Sequence, residues 1–237
     1  MLPPRVRRTI AGLVMVVVAA SCRDVAATDL PAPPGLLIHP SPSPYSVVEA
    51  GGVRALVPDA WHPLPVEASG LHRGLYASPR PHAWGRMDGT VAGMAALWVD
   101  ATAVGVPSDY YYLAATGPAL RRFTGSPDCR SEVERVFADH RPSLLSGRPA
   151  SPGDYVARGE GVCVSGGATT RWAYFVAAPG FGPLRRLGIP GSGLYVVVAV
   201  VPDSRRAEVL LDRLLDAAEF GGTPISQMIA AARGHLA

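Results

Sequence analysis

The chain has 237 residues, a formal net charge of +3 and 17% charged residues, with 26 Gly, 24 Pro and 3 Cys. Arg5, Arg7 and Arg8 account for the whole positive excess, because beyond them 19 Arg face 19 Asp plus Glu and there is no Lys. A neutral domain has no long-range field to gather phosphate backbones or an acidic membrane surface, so nucleic acid is excluded as an expected partner.

At the N-terminus those arginines precede an apolar run, Ile10–Ala20, that ends in Ala19, Ala20 and Ser21. Basic, apolar and small-residue regions in that order predict a cleavable signal peptide over 1–21. The run is too short for a spanning helix, which needs about 20 apolar residues. Ala19-Ala20-Ser21-Cys22 resembles a bacterial lipobox, with Ala19 where Leu is usual, and predicts lipidation of Cys22. Cleavage after Val25-Ala26-Ala27 is the alternative, and it would release the protein in secreted form. Arg7-Arg8 leaves the general and twin-arginine export routes both open.

Residues 22–45 carry Pro31, Pro33, Pro34, Pro40, Pro42 and Pro44 and read as a semi-rigid, lipid-anchored tether. About 20 extended residues at roughly 3 Å each would reach on the order of 60 Å. Leu36-Leu37-Ile38 is the apolar cluster within it, suited either to docking on the domain or to lying near lipid.

From 46 to 237 the chain reads as a single α+β domain, with no internal repeat and no second linker. Strands are expected at 53–57, 74–78, 92–101, 133–139, 154–164, 171–178 and 194–201. The last, Leu-Tyr-Val-Val-Val-Ala-Val-Val, is apolar on both faces and belongs at the centre of a sheet. Ser108 caps a helix expected through Phe123 and broken near Gly117-Pro118. A second helix follows Asp203 or Ser204, with Ala207, Leu210, Leu211, Leu214, Leu215 and Ala218 as its apolar stripe and Gly221-Gly222 as its stop. A short terminal helix is expected over 223–236.

Val57-Pro-Asp-Ala-Trp61 after a short strand, Pro107-Ser-Asp-Tyr-Tyr-Tyr112 before a broken helix, the strands around 171–201 and the closing helix resemble the actinobacterial Lpq-type lipoproteins. The resemblance covers roughly residues 46–222. It implies a PsbP/Mog-like fold, an antiparallel β-sheet packed between helices, and a non-enzymatic envelope protein that binds partners or lipids. The internal cysteines and the long segment after Ala178 depart from the family pattern.

With Cys22 lipidated, Cys129 and Cys163 remain as an even pair in an oxidising compartment, which predicts a disulfide. No catalytic signature is present. His62, His72 and His82 recur at a spacing that places no two on a common helical or strand face, and neither a Gly-x-Ser-x-Gly elbow nor a His-Glu-x-x-His motif occurs. The glycines at 179–193 lack the strand–glycine–helix order of a dinucleotide site, so no cofactor and no metal are expected.

A binding or adaptor module is therefore the expected class, with a carrier of a small apolar or lipid ligand as the alternative and a hydrolase with a dispersed triad as the minor one. Candidate contact residues are Tyr111, within a Tyr triplet that cannot bury all three rings on one helical face, and Trp84 in a Pro-rich loop. The segment 179–193 adds Phe181, Arg185, Arg186 and Leu187, as apolar anchors beside cations able to meet carboxylates or lipid phosphates. Expected partners are the membrane, through the N-terminal lipid, and an envelope protein or lipid.

Overall fold

The computed structural model describes residues 35–41, 43–68, 72–80, 92–100, 129–139, 154–178, 183–188 and 193–234. Twelve strands are found there: β1 (Leu36–His39), β2 (Tyr45–Ala50), β3 (Val53–Pro58), β4 (His62–Ala68), β5 (His72–Ser78), β6 (Gly93–Asp100), β7 (Cys129–Asp139), β8 (Tyr155–Ser165), β9 (Ala168–Ala178), β10 (Gly193–Pro202), β11 (Glu219–Phe220) and β12 (Thr223–Pro224). Two helices, α1 (Ala207–Asp216) and α2 (Ile225–Arg233), and a 3-10 turn, Pro183–Leu187, complete the described elements. Among them no helix is long and apolar enough to cross a membrane.

The strands form two antiparallel sheets, a seven-stranded one in the order β4-β5-β6-β10-β9-β8-β7 and a five-stranded one in the order β1-β2-β3-β11-β12. This corrects the α+β expectation and the PsbP/Mog-like sandwich with it: the described chain is mostly β, with only two short helices. The physical reason lies in three Gly-Gly pairs. Gly51-Gly52, Gly166-Gly167 and Gly221-Gly222 all have positive φ at both positions, the backbone of a type I′ turn, whose twist matches that of two antiparallel strands. Each pair closes a tight hairpin, β2–β3, β8–β9 and β11–β12. Gly221-Gly222, expected as a helix stop, instead makes a hairpin, and the terminal helix begins only at Ile225.

Of the two alternatives open for Leu36-Leu37-Ile38, the described structure has docking on the domain. Leu36–His39 pairs with Val47–Ala50 in the small sheet, and Leu36 is buried, so the apolar cluster docks as strand β1. The partner strand β2 begins at Tyr45, inside the expected tether.

β10 occupies the centre of the large sheet, as its double-faced apolar sequence requires. Its Tyr195, Val197, Ala199 and Val201 join the larger core, and Leu194, Val198 and Val200 join a second cluster. Over the first face lie, in turn, strands β2 and β3 against β5, helix α1 against β9 and β10, and helix α2 against β7 and β8. Helix α1 buries Ala207, Leu211, Leu214 and Leu215, the stripe expected from its periodicity. In the second cluster Trp172 and Tyr174 are stacked, with rings that lie where Cβ atoms on Gly161 and Gly159 would be. Those glycines of β8 are bare so that the rings can cover them.

The sheet edges are blunted. Pro63 and Pro65 sit on the edge strand β4, where a missing N–H costs no ladder bond, and the opposite edge β7 carries two register shifts, between Ser131 and Val133 and between Val136 and Ala138. Prolines and bulges of this kind discourage edge-to-edge association.

Candidate functional site

The polar side chains that the fold gathers are mostly structural. Arg171 pairs with Asp203 at 2.8 Å, Glu208 at 3.0 Å and Glu132 at 3.5 Å, and Arg158 pairs with Asp216 at 2.8 Å and with Asp212. These contacts clamp helix α1 and its entry onto the large sheet. Buried Asp154 accepts a hydrogen bond of 2.8 Å from the Leu184 N–H, which fixes the 3-10 turn. Tyr174 donates its hydroxyl to Glu134 at 2.8 Å. Burial first, and then that hydrogen bond, push the Tyr174 pKa up, so its hydroxyl stays protonated and is no general base. The β4–β5 register places His62 opposite Ser78 and His72 opposite Ala68, at opposite ends of the hairpin. Among the described residues no group of three His, Cys, Asp or Glu is placed to hold a metal.

Two adjoining clefts open at the hairpin turns of the small sheet and share Gly51, Gly52 and Gly221; the smaller one reaches the large sheet. The larger, about 440 Å³, is lined by Leu37, Glu49, Arg54 and Glu219 beside the glycines. Its charges are matched: Arg54 lies 3.2 Å from Glu49 and 3.6 Å from Glu219.

The smaller cleft, about 240 Å³, has a different character. Trp98, Tyr195 and Phe220 line it, with Arg73, Thr223 and the turn glycines. Its assembly follows from strand register, since Arg73 on β5 is opposite Trp98 on β6, and Trp98 is opposite Tyr195 on β10. Cross-strand neighbours share a face of the sheet, so three residues distant in sequence form one row. The Arg73 guanidinium sits 5.1 Å from the centre of the Trp98 ring, a cation–π distance, and Phe220 meets Tyr195 edge to face at 5.1 Å. The far edge of the indole rests against Gly193, where an added Cβ would lie 2.0 Å from Nε1. Trp98 is thus held between a cation and a bare backbone.

Bare backbone also forms the cleft mouth. Gly221 donates its N–H to the Gly52 carbonyl at 2.8 Å, tying the two Gly-Gly turns together, and neither glycine has any atom within reach of a Cβ position. Gly188, which follows the 3-10 turn, borders the same cleft.

Of the candidate contact residues, Arg185 and Arg186 are exposed on the 3-10 turn. Leu187 packs against the main core beside fully buried Leu184, so this part of the segment folds back onto the sheet. Gly188 brings the segment to the cleft, whereas Trp84, Tyr111, Phe181, Cys22 and the helix expected over 108–123 lie outside the described residues. The cysteines meet: Cys129 and Cys163 are register partners on β7 and β8 and are joined by a disulfide. Sequence reasoning missed Arg73, Trp98, Tyr195 and Phe220. The available signal was the Gly-Gly pairs, which mark the hairpin turns that overhang them. Comparison with known protein families and with curated proteins finds no match to the chain.

Proposed function

We propose that the chain is an exported protein, held at the outer face of a membrane by lipid on Cys22, and that it acts as a non-catalytic binding module. The observation that carries the binding reading is the small cleft, walled by three aromatic rings and bare turn backbone. Among its described lining residues no nucleophile is paired with a base. The Cys129–Cys163 disulfide suits an oxidising, extracytoplasmic compartment, and the phrases shared with the Lpq-type lipoproteins support the same setting.

Two measurements test this reading. Cys22→Ala is expected to move the protein from the detergent phase to the aqueous or culture fraction, and unchanged partitioning would refute the anchor. A ligand-observed magnetic resonance screen of small aromatic and aliphatic compounds against the mature domain should return binders that compete with one another. Those binders should be lost in Gly193→Ala, whose new Cβ displaces the Trp98 ring at a cost of about 1–3 kcal/mol. Binding that survives this change, in a variant that still melts cooperatively, would place recognition away from the cleft.

The carrier reading is favoured over the adaptor reading by volume and lining. A cleft of about 240 Å³ with aromatic walls admits a compact ring system, and is too small to enclose a lipid chain.

A further inference from the structure

The charge of the aromatic cleft differs from that of its neighbour. In the larger cleft Arg54 is matched by Glu49 and Glu219, and His39 lies 3.7 Å from Glu49. In the smaller cleft Arg73 is the sole charged residue among the described lining residues, and its contact is with the π-face of Trp98. A guanidinium stacked on an indole keeps its N–H edge open, and that edge has the fork geometry that matches a carboxylate.

The rings supply the second half of a recognition pattern. Trp98 is the partly exposed ring of the cleft, backed by Tyr195 and Phe220, which are buried and meet edge to face, and the mouth formed by Gly52, Gly188 and Gly221 has open space where side chains would otherwise stand. A planar group fits between such a ring and bare backbone better than a branched aliphatic one. Thr223, nearly buried in the same lining, adds a hydroxyl able to donate to an acceptor.

Resting on the binding reading above, we propose that this cleft takes a small planar aromatic carboxylate, its ring against Trp98, behind which Tyr195 and Phe220 are packed, and its carboxylate on the guanidinium of Arg73. The anion does not have to break an ion pair recorded among the described residues to reach Arg73. Its ring gains apolar contact and edge-to-face partners, while its charge gains a charge-assisted pair at a half-open site.

The test uses the mature disulfide-bonded domain with naphthoate and its neutral isostere naphthamide as probes. The readout is the Trp98 indole N–H cross-peak in nitrogen–proton correlation spectra, identified by its loss in Trp98→Phe. Naphthoate is expected to shift that peak saturably and to bind about two- to fivefold more tightly than naphthamide, the factor expected for a charge pair at an exposed guanidinium. Arg73→Gln should bring naphthoate down to the level of naphthamide, and Arg73→Lys should restore part of the difference. Arg73 is exposed, so these variants are expected to keep the wild-type thermal midpoint. Saturable binding that is equal for acid and amide, or unchanged in Arg73→Gln, overturns the carboxylate assignment and leaves the cleft as a neutral-ligand site. No saturable shift with either probe, when the screen does find competing binders, overturns the aromatic acid class itself. Failure of the screen and of both probes together removes the binding reading.

Discussion

Gly74→Ala is expected to be strongly destabilising, because strain and steric clash act on it together. Gly74 lies inside β5 with φ +141, a conformation that L residues rarely adopt, and its Cβ would fall 2.1 Å from the Ala96 carbonyl oxygen on β6. The obstacle is backbone, which cannot rotate away, so the β5–β6 ladder must separate locally. The same glycine accepts the close approach of the β2–β3 turn, because a Cβ on Gly51 would lie 2.7 Å from the Gly74 nitrogen. A cost of at least about 3 kcal/mol follows from strain and overpacking together, which for a domain of this size lowers the thermal midpoint by roughly 10 °C. Gly52→Ala is the control. Its φ of +79 is also positive, yet its Cβ would meet nothing, so only the conformational cost of about 1–2 kcal/mol applies. Equal midpoints for the two variants would refute the steric account. If Gly74→Ala remains folded, its Arg73–Trp98 geometry should still be perturbed, because Gly74 adjoins Arg73 in the strand.

Where periodicity alone decides an element, the sequence was readable. The unbroken run of β10 led to the sheet centre, and the 3.6-residue stripe of α1 led to the residues that are buried. The small sheet was hidden for a different reason. With 26 Gly in the chain, Gly51-Gly52 drew no reading and Gly221-Gly222 was read as a helix stop, although a Gly-Gly pair between apolar stretches is also the signature of a type I′ hairpin. Strand β4 was obscured by Pro63 and Pro65, which argue against a central strand and are tolerated only because β4 is an edge. The α+β expectation rested on the expected helices and on the Lpq-type resemblance, and the small sheet that covers β5 was no part of it.

The cleft was less legible still. Arg73, Trp98, Tyr195 and Phe220 belong to four segments with no common motif, and strand register brings the first three into a row. The cysteine pair was legible because counting and compartment suffice for it. The residues singled out near it in sequence, Arg185, Arg186 and Leu187, were chosen as unusual loop chemistry. Their role in the described structure is to carry the chain, through Leu184 and Leu187, back to the core and to deliver Gly188 to the cleft.

Replacing Cys129 and Cys163 together by Ala is expected to cost about 3–4 kcal/mol, from the chain-entropy model at a sequence separation of 34. The thermal midpoint should fall by about 10 °C, and reduction of the wild-type protein should reproduce the shift. Alanine is the suitable replacement because Cys163 is fully buried, where a serine hydroxyl would add a desolvation cost of its own. The consequence should also be local. Strand β7 is the edge of the large sheet, most of its side chains from Arg130 to Val136 are exposed, and its pairing with β8 is interrupted twice. The disulfide holds its beginning, whereas Phe137 and Ala138 in its last turn of register are buried, with Arg233 of α2 4.9 Å from the Phe137 ring. Hydrogen exchange in the double variant should therefore accelerate most at Arg130–Val133 and least near Phe137, while the central strand β10 exchanges only through global unfolding. A midpoint unchanged from the oxidised protein would show that the unfolded chain gains little freedom from losing the link, and uniform acceleration along β7 would show that the contact with α2 does not hold its far end.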